Sequence, residues 1–169
     1  RGESEKFITV KVTAPQDKIL DYLVKKSIVK SNKYTDELIE KALKDSYDRV
    51  FEATKDVKGV IDGIESKVFG IGLESYTVGS HEFCMGYVMK ANKDHIIMTL
   101  DTGHYHPTEV VSAKLAAIYT FSNNVLLHVS RPVRWDSDHV LKLNDDLQEV
   151  ANELVKCDAL NRTYIGLDY

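Results

Sequence analysis

"HIIMTLDTGHYHPTEVVSAKLAAIYTF", residues 95–121, decides the fold. Its first part is an apolar run, Ile96 to Leu100, that ends on Asp101. Its last part has apolar residues at helical spacing, and Pro107 suits the first turn of a helix. A short apolar strand followed by an amphipathic helix is half of a βαβ unit. His104 and His106 lie between the two, so the strand end carries an acid and two imidazoles. In parallel α/β folds the C-terminal ends of strands form the ligand-binding face.

The same alternation extends in both directions. "VIDGIESKVFGIGL" (60–73), "NVLLHVS" (124–130) and "TYIGLDY" (163–169) read as further strands. "SHEFCMGYVMKAN" (80–92) and "VLKLNDDLQEVANELVKC" (140–157) read as further helices. The near-continuous Ile, Leu and Val of these strands predicts a sheet buried on both faces. Right-handed crossovers then leave a doubly wound sheet or part of a (β/α)8 barrel. Residues 1–55 form a separate N-terminal segment with one strand, "KFITVKVT" (6–13), and two helices. The first helix opens at Pro15, and the second is capped by Thr35 with Tyr34 and Ile39 as a hydrophobic staple. Its stripe runs from Leu38 to Phe51. The four strands and their intervening helices occupy 56–169.

Composition narrows the function. The 169 residues suit one domain or part of a larger one. Hydrophobic content of 43%, charged content of 28% and a net charge of −4 are ordinary globular values. The absence of a basic stripe argues against nucleic acid as a partner. No apolar run approaches the ~20 residues that span a bilayer, and "RGESEKF" lacks the plan of a signal peptide. Cys84 and Cys157 are far apart and form no CxxC, which points to a reducing, cytosolic compartment. "GIG" at 70–72 lacks the third glycine of a dinucleotide fingerprint, and no GxxxxGK occurs.

The polar residues of the strands carry the chemistry. Glu65 lies in the first strand with Lys67 two residues on, Asp101 ends the second, His128 sits in the third and Asp168 ends the fourth. One imidazole and three carboxylates on one face suit a divalent ion such as Mn²⁺, Mg²⁺, Co²⁺ or Zn²⁺. A second cluster combines His104 with Asp136 and Asp138, whose D-x-D spacing points both carboxylates the same way if the chain is extended. Each residue also has an ordinary reading. His128 can be a core histidine, Asp101 a helix cap, Glu65 and Lys67 an ion pair, and Asp136 and Asp138 a solvated loop. His106 can cap the helix that follows. The coincidence of several buried acids favours a cation, because unpaired carboxylates are costly to bury.

"ESKVFGIGLESYTVGSHEF", "LDTGHYHPTEV", "HVSRPVRWDSDHV" and "YIGLDY" occur in that order and resemble the L-rhamnose isomerase family over about residues 60–169. The resemblance implies a (β/α)8 barrel related to xylose isomerase, of which this chain holds a part. It implies interconversion of L-rhamnose and L-rhamnulose by a two-metal hydrogen shift between C2 and C1. It also implies Mn²⁺ dependence, a cytoplasmic location and a homotetramer. By the same resemblance Glu65, Asp101, His128 and Asp168 hold a structural metal, and His104, Asp136 and Asp138 a catalytic one. Lys67 falls near the sugar's O1, and Asp168 is both ligand and catalytic carboxylate. Residues 1–55 do not match the family's upstream region. Two other readings compete. One is a metal-dependent hydrolase, suggested by "HYH" at 104–106, although such enzymes carry that pair on the first strand. The other is a truncated barrel without turnover, suggested by room for about five of the eight βα units a closed barrel needs.

Overall fold

The computed structural model describes residues 36–68, 79–133 and 136–169. The strand expected at 6–13, the helix at Pro15, the Thr35 cap and the "GIG" stretch lie outside the described residues. The chain divides into two compact units, Arg1–Leu38 and Ile39–Tyr169, and the sheet belongs to the second. The elements are α1 (Asp36–Ala53), β1 (Asp62–Glu65), α2 (His81–Ala91), β2 (Ile96–Asp101), α3 (Ser112–Phe121), β3 (Val125–Val129), α4 (Asp145–Lys156), a 3₁₀ turn (Leu160–Arg162) and β4 (Thr163–Leu167).

Among the described residues, all strand pairs are parallel, and their order in the sheet is the order in the chain. A doubly wound sheet reverses its winding at a switch point, whereas a barrel wall adds each strand beside the last. The observed order is that of a barrel wall. The helices support the same architecture. Ile64, Ile96, Met98, Leu100, Val125, Leu127 and Val129 form one core with Phe51, Cys84, Tyr87, Val88, Leu115, Ile118, Val150 and Leu154. These strand residues alternate along their chains, so one sheet face holds the helical layer. The intervening residues, Glu65, Thr99, Asp101, Leu126 and His128, face the other way.

The expectation of strands buried on both faces holds for β2 alone, which is buried along its length. β3 alternates, with Leu126 and His128 half-buried, and Tyr164, Ile165 and Leu167 of β4 are exposed. β3 turns its intervening residues toward the polar face, and β4 is an edge among the described residues.

Local chemistry explains the helix ends. Ser80 caps α2 by accepting the Phe83 N–H at 3.1 Å, and Asn92 closes it in the left-handed region (φ 46°). Two helices start later than the spacing predicts. α3 begins at Ser112 and not at Pro107, because residues 106–109 are tied in a turn. In it the Thr108 N–H donates to His106 Nδ1 (3.1 Å) and the Glu109 N–H to the His106 carbonyl (2.7 Å). α4 begins at Asp145 and not near Val140, because Asn144 accepts the Leu147 N–H at 3.0 Å. Asp145 and Asp146 then occupy the first turn, where the helix dipole favours acids.

Leu127 is fully buried and Val50 is 53% exposed. Leu127→Ala in the full-length protein is expected to cost about 2–5 kcal/mol and to lower the midpoint of thermal unfolding. Val50→Ala is expected to stay within about 0.5 kcal/mol. Equal midpoints for the two variants contradict the placement of the core.

Candidate metal centre

The parallel register sets the polar face. Glu65 pairs with Thr99, Asp101 with His128 and His128 with Gly166, so acids and imidazole meet at the C-terminal edge. Asp168 follows β4 directly, and its N–H donates to the Val129 carbonyl at 3.0 Å. Asp101 is the most buried of the group, 2% exposed. Its Oδ1 accepts the Gly103 N–H (2.7 Å) and the Ser130 hydroxyl (3.2 Å). Asp101 therefore makes an Asx turn and does not cap α3. Its Oδ2 lies 3.8 Å from His104 Nε2 and 3.7 Å from His128 Nδ1.

His104 is oriented from two sides. Its Nδ1–H donates to the Ser66 carbonyl at 2.9 Å, and its Nε2 lies 3.1 Å from Asp136 Oδ2. His128 Nδ1 sits 2.8 Å from Glu65 Oε1. Ligand atoms of Glu65, Asp101 and His104 lie within 4.8 Å of one another, as do those of Asp101, His128 and Asp168. Asp101 belongs to both groups. The structure thus brings together six of the eight residues singled out from sequence: Glu65, Asp101, His104, His128, Asp136 and Asp168.

The other two stand differently. Lys67 is half-buried beyond Glu65, with its backbone N–H on the Gly79 carbonyl at 2.8 Å. Asp138 is exposed and has φ 24°. The D-x-D pair is therefore not extended, and the strand alternation expected to align its two carboxylates does not apply. His106 serves the turn before α3.

Three supporting residues carry no obvious sequence signal. Gly103 is one. A Cβ there would meet Asp136 Oδ1 and Ser130 Oγ at 2.9 Å each and Asp101 Oδ1 at 3.2 Å. Any side chain would force the acids apart. Ser130 is the second, tied to β2 through Thr102, whose hydroxyl donates to the Ser130 carbonyl (2.9 Å) and accepts its N–H (2.8 Å). Ser66 is the third. The "DTG" triplet was the one visible hint, since Asp followed by Gly two residues on is an Asx-turn pattern.

The electrostatics fit a cation. Burial pushes the Asp101 carboxyl above the ordinary aspartate range; the Gly103 N–H and His104 oppose the shift, and Glu65 and Asp136 add to it. For His104 burial acts downward and is the largest single influence. The Ser66 carbonyl and the charges of Asp101, Glu65 and Asp136 together outweigh it, so the imidazole is held above its ordinary value. Asp136 Oδ1 is buried with no hydrogen-bond partner. Carboxylates crowded around an imidazole, with one buried oxygen unsatisfied, form a donor set for a divalent ion.

A separate cleft lies beside the site. It measures about 450 Å³ and opens on the helical side, lined by Val111, Val129, Leu147 and Val150. It touches the centre through Thr102, Gly103 and Asp136, and Glu65, His104, His128 and Asp168 do not line it. Donor chemistry, and not cavity size, marks the candidate site.

Fold and site together define a parallel α/β protein with a carboxylate–imidazole cluster of metal-ligand chemistry at the C-terminal edge of its sheet. The family described as L-rhamnose isomerase (RhaA) matches residues 24–169, and the chain belongs to that family. The match begins upstream of residue 60, where the resemblance of the motifs starts. An L-rhamnose isomerase of Listeria monocytogenes serotype 4a (strain HCC23) is 53% identical over 129 residues, 76% of this chain and 30% of the relative. Relatives with the same name from Bacteroides thetaiotaomicron and Rhodopirellula baltica are 54% and 50% identical over 127 residues, 75% of this chain and 29% of each relative. The chain spans about three tenths of the length of these curated relatives.

A divalent ion bound among Asp101, Glu65 and Asp136 would compete with a proton on His104 Nε2. Because the His104 value is raised, that proton persists above the ordinary 6.5, and cation affinity is gained as pH rises through this range. Calorimetry of Mn²⁺ binding in two buffers of different ionisation enthalpy is expected to show proton release at pH 6.5 that declines toward pH 8.5. Affinity that is flat from pH 5.5 to 8.5 contradicts the assignment.

Proposed function

We propose that the full-length protein is an aldose–ketose isomerase that interconverts L-rhamnose and L-rhamnulose, and that this chain supplies its metal centre. The observation that carries the proposal is the convergence of Glu65, Asp101, His104, His128, Asp136 and Asp168 at one sheet edge, in a chain of this family. Mn²⁺ is the proposed cofactor, with Zn²⁺, Co²⁺ or Mg²⁺ as substitutes. The proposed assembly is a cytoplasmic homotetramer. The free thiols of Cys84 and Cys157 accord with a reducing compartment. Among the described residues, no helix is long and apolar enough to cross a membrane.

The reaction redistributes hydrogen within one sugar. A hydrogen moves from C2 to C1, O2 loses its proton and O1 gains one, so an aldehyde becomes a ketone without net oxidation. Divalent ions at this centre supply positive charge where sugar oxygens become more negative. Glu65, Asp101, His128 and Asp168 hold the structural ion, and His104 and Asp136 the catalytic one. Asp101 Oδ2 faces both imidazoles and couples the two positions. Asp138 is assigned to the second ion by resemblance alone, since its exposure lends no support. Lys67 donates to O1 as charge develops there. Asp168 lies beside the centre as a carboxylate able to take part in proton transfer.

In the full-length protein, chelation is expected to abolish ketose formation from L-rhamnose and Mn²⁺ to restore it. Lys67→Met is expected to lower kcat about 100-fold or more while Mn²⁺ affinity stays near wild type. Absence of ketose formation at saturating Mn²⁺ contradicts the proposal. Asp138→Asn is expected to remain folded, with an unchanged thermal midpoint in the metal-free protein.

A further inference from the structure

Tyr105 separates the two histidines of "HYH", and its ring packs against the edge of the core. A phenylalanine would serve that packing equally well. The hydroxyl, however, is held between two polar groups from distant parts of the chain. The Ser66 hydroxyl donates to Tyr105 Oη at 3.4 Å, and Tyr105 Oη lies 3.1 Å from His81 Nδ1. The His81 and Tyr105 rings meet edge to face, with centroids 5.6 Å apart and an interplanar angle of 72°. His81 is the first residue of α2, next to the capping Ser80. Burial, with the nearby Lys114, holds the His81 imidazole below its ordinary value, so one ring nitrogen is free to accept. Ser66 Oγ–H donates to Tyr105 Oη, and with His81 in its Nε2–H tautomer Tyr105 Oη–H donates on to His81 Nδ1.

Ser66 is 4% exposed and is the peptide between Glu65 and Lys67. Its carbonyl accepts the His104 Nδ1–H at 2.9 Å. That bond selects the tautomer of His104 that presents Nε2 toward Asp101 and Asp136. A ligand imidazole fixed through its other nitrogen is a common way of tuning a cation site. In this chain the fixing group is a peptide carbonyl, which needs its own anchor. We propose that Tyr105, braced by His81, is a positioning residue for the cation centre: it anchors the Ser66 peptide that orients His104. This inference rests on the reading of the carboxylate–imidazole cluster as a cation site. It adds α2, an element that contributes no ligand of its own, to the supports of that site.

The test uses full-length protein and Mn²⁺. Dissociation constants come from calorimetry, kcat and KM from ketose formation, and thermal midpoints from the metal-free protein. Tyr105→Phe is expected to weaken Mn²⁺ binding about tenfold and to lower kcat more than it raises KM, with a nearly unchanged metal-free midpoint. His81→Ala is expected to do the same. His81→Asn, which keeps an acceptor near the position of Nδ1, is expected to recover Mn²⁺ affinity to within about threefold of wild type. A purely structural role for Tyr105 lowers the midpoint and leaves affinity unmoved, and that result overturns the inference. Equal weakening in His81→Ala and His81→Asn overturns it too, and this comparison stands if Tyr105→Phe does not fold. Wild-type protein that binds no Mn²⁺ removes the underlying cation site. Normal wild-type binding with unaltered binding in Tyr105→Phe removes the positioning role alone.

Discussion

The Asp101 carboxylate is the constraint on which the rest of the centre depends. It sits at the end of β2, the one strand buried along its whole length. A charged group in that position costs on the order of several kcal/mol unless partners replace its water. Among the described residues, its short hydrogen bonds go to one oxygen. Oδ1 is satisfied by the Gly103 N–H and the Ser130 hydroxyl, while Oδ2 is left facing His104 and His128. This division leaves the second oxygen directed at the two imidazoles, where a cation would offset the buried charge. It also accounts for the missing side chain at residue 103, where a Cβ would strike the oxygens of two acids and of Ser130.

Parallel pairing carries the constraint across the sheet. With Asp101 opposite His128 and His128 opposite Gly166, each strand places its polar residue at the same edge. A one-residue slip would turn that residue into the helical layer. The register is held from the other face by the core of Ile64, Met98, Leu100, Val125 and Leu127. Packing on one side thus sets chemistry on the other. Sequential strand order with helices on a single face is the arrangement in which such an edge surrounds a ligand.

Much of this was legible in the residues themselves. An acid or imidazole inside an apolar strand stands out, and strand periodicity gives its face, so Glu65, Asp101, His128 and Asp168 could be placed together. Their neighbours were not legible for physical reasons. Ser66, Gly103 and Ser130 are small residues whose roles arise from contacts between segments 28 to 38 residues apart. The alternation argument for Asp136 and Asp138 does not apply, because it assumes extended backbone and the chain at Asp138 has positive φ. The starts of α3 and α4 shifted because a His106 turn and the Asn144 cap outweighed apolar spacing. The choice between a doubly wound sheet and a barrel wall needed the strand order, which no local pattern encodes.

The central claim is that Asp101 Oδ2, between two imidazoles, is a cation ligand. Crystals of the full-length protein soaked in Mn²⁺ test it directly by anomalous diffraction at the manganese edge. The account predicts an anomalous peak at about 2.0–2.3 Å from the Asp101 carboxylate, on the side of His104 Nε2 or His128 Nδ1. Strong peaks elsewhere, with Asp101 bound only by Gly103 and Ser130 and no density facing Oδ2, would contradict it.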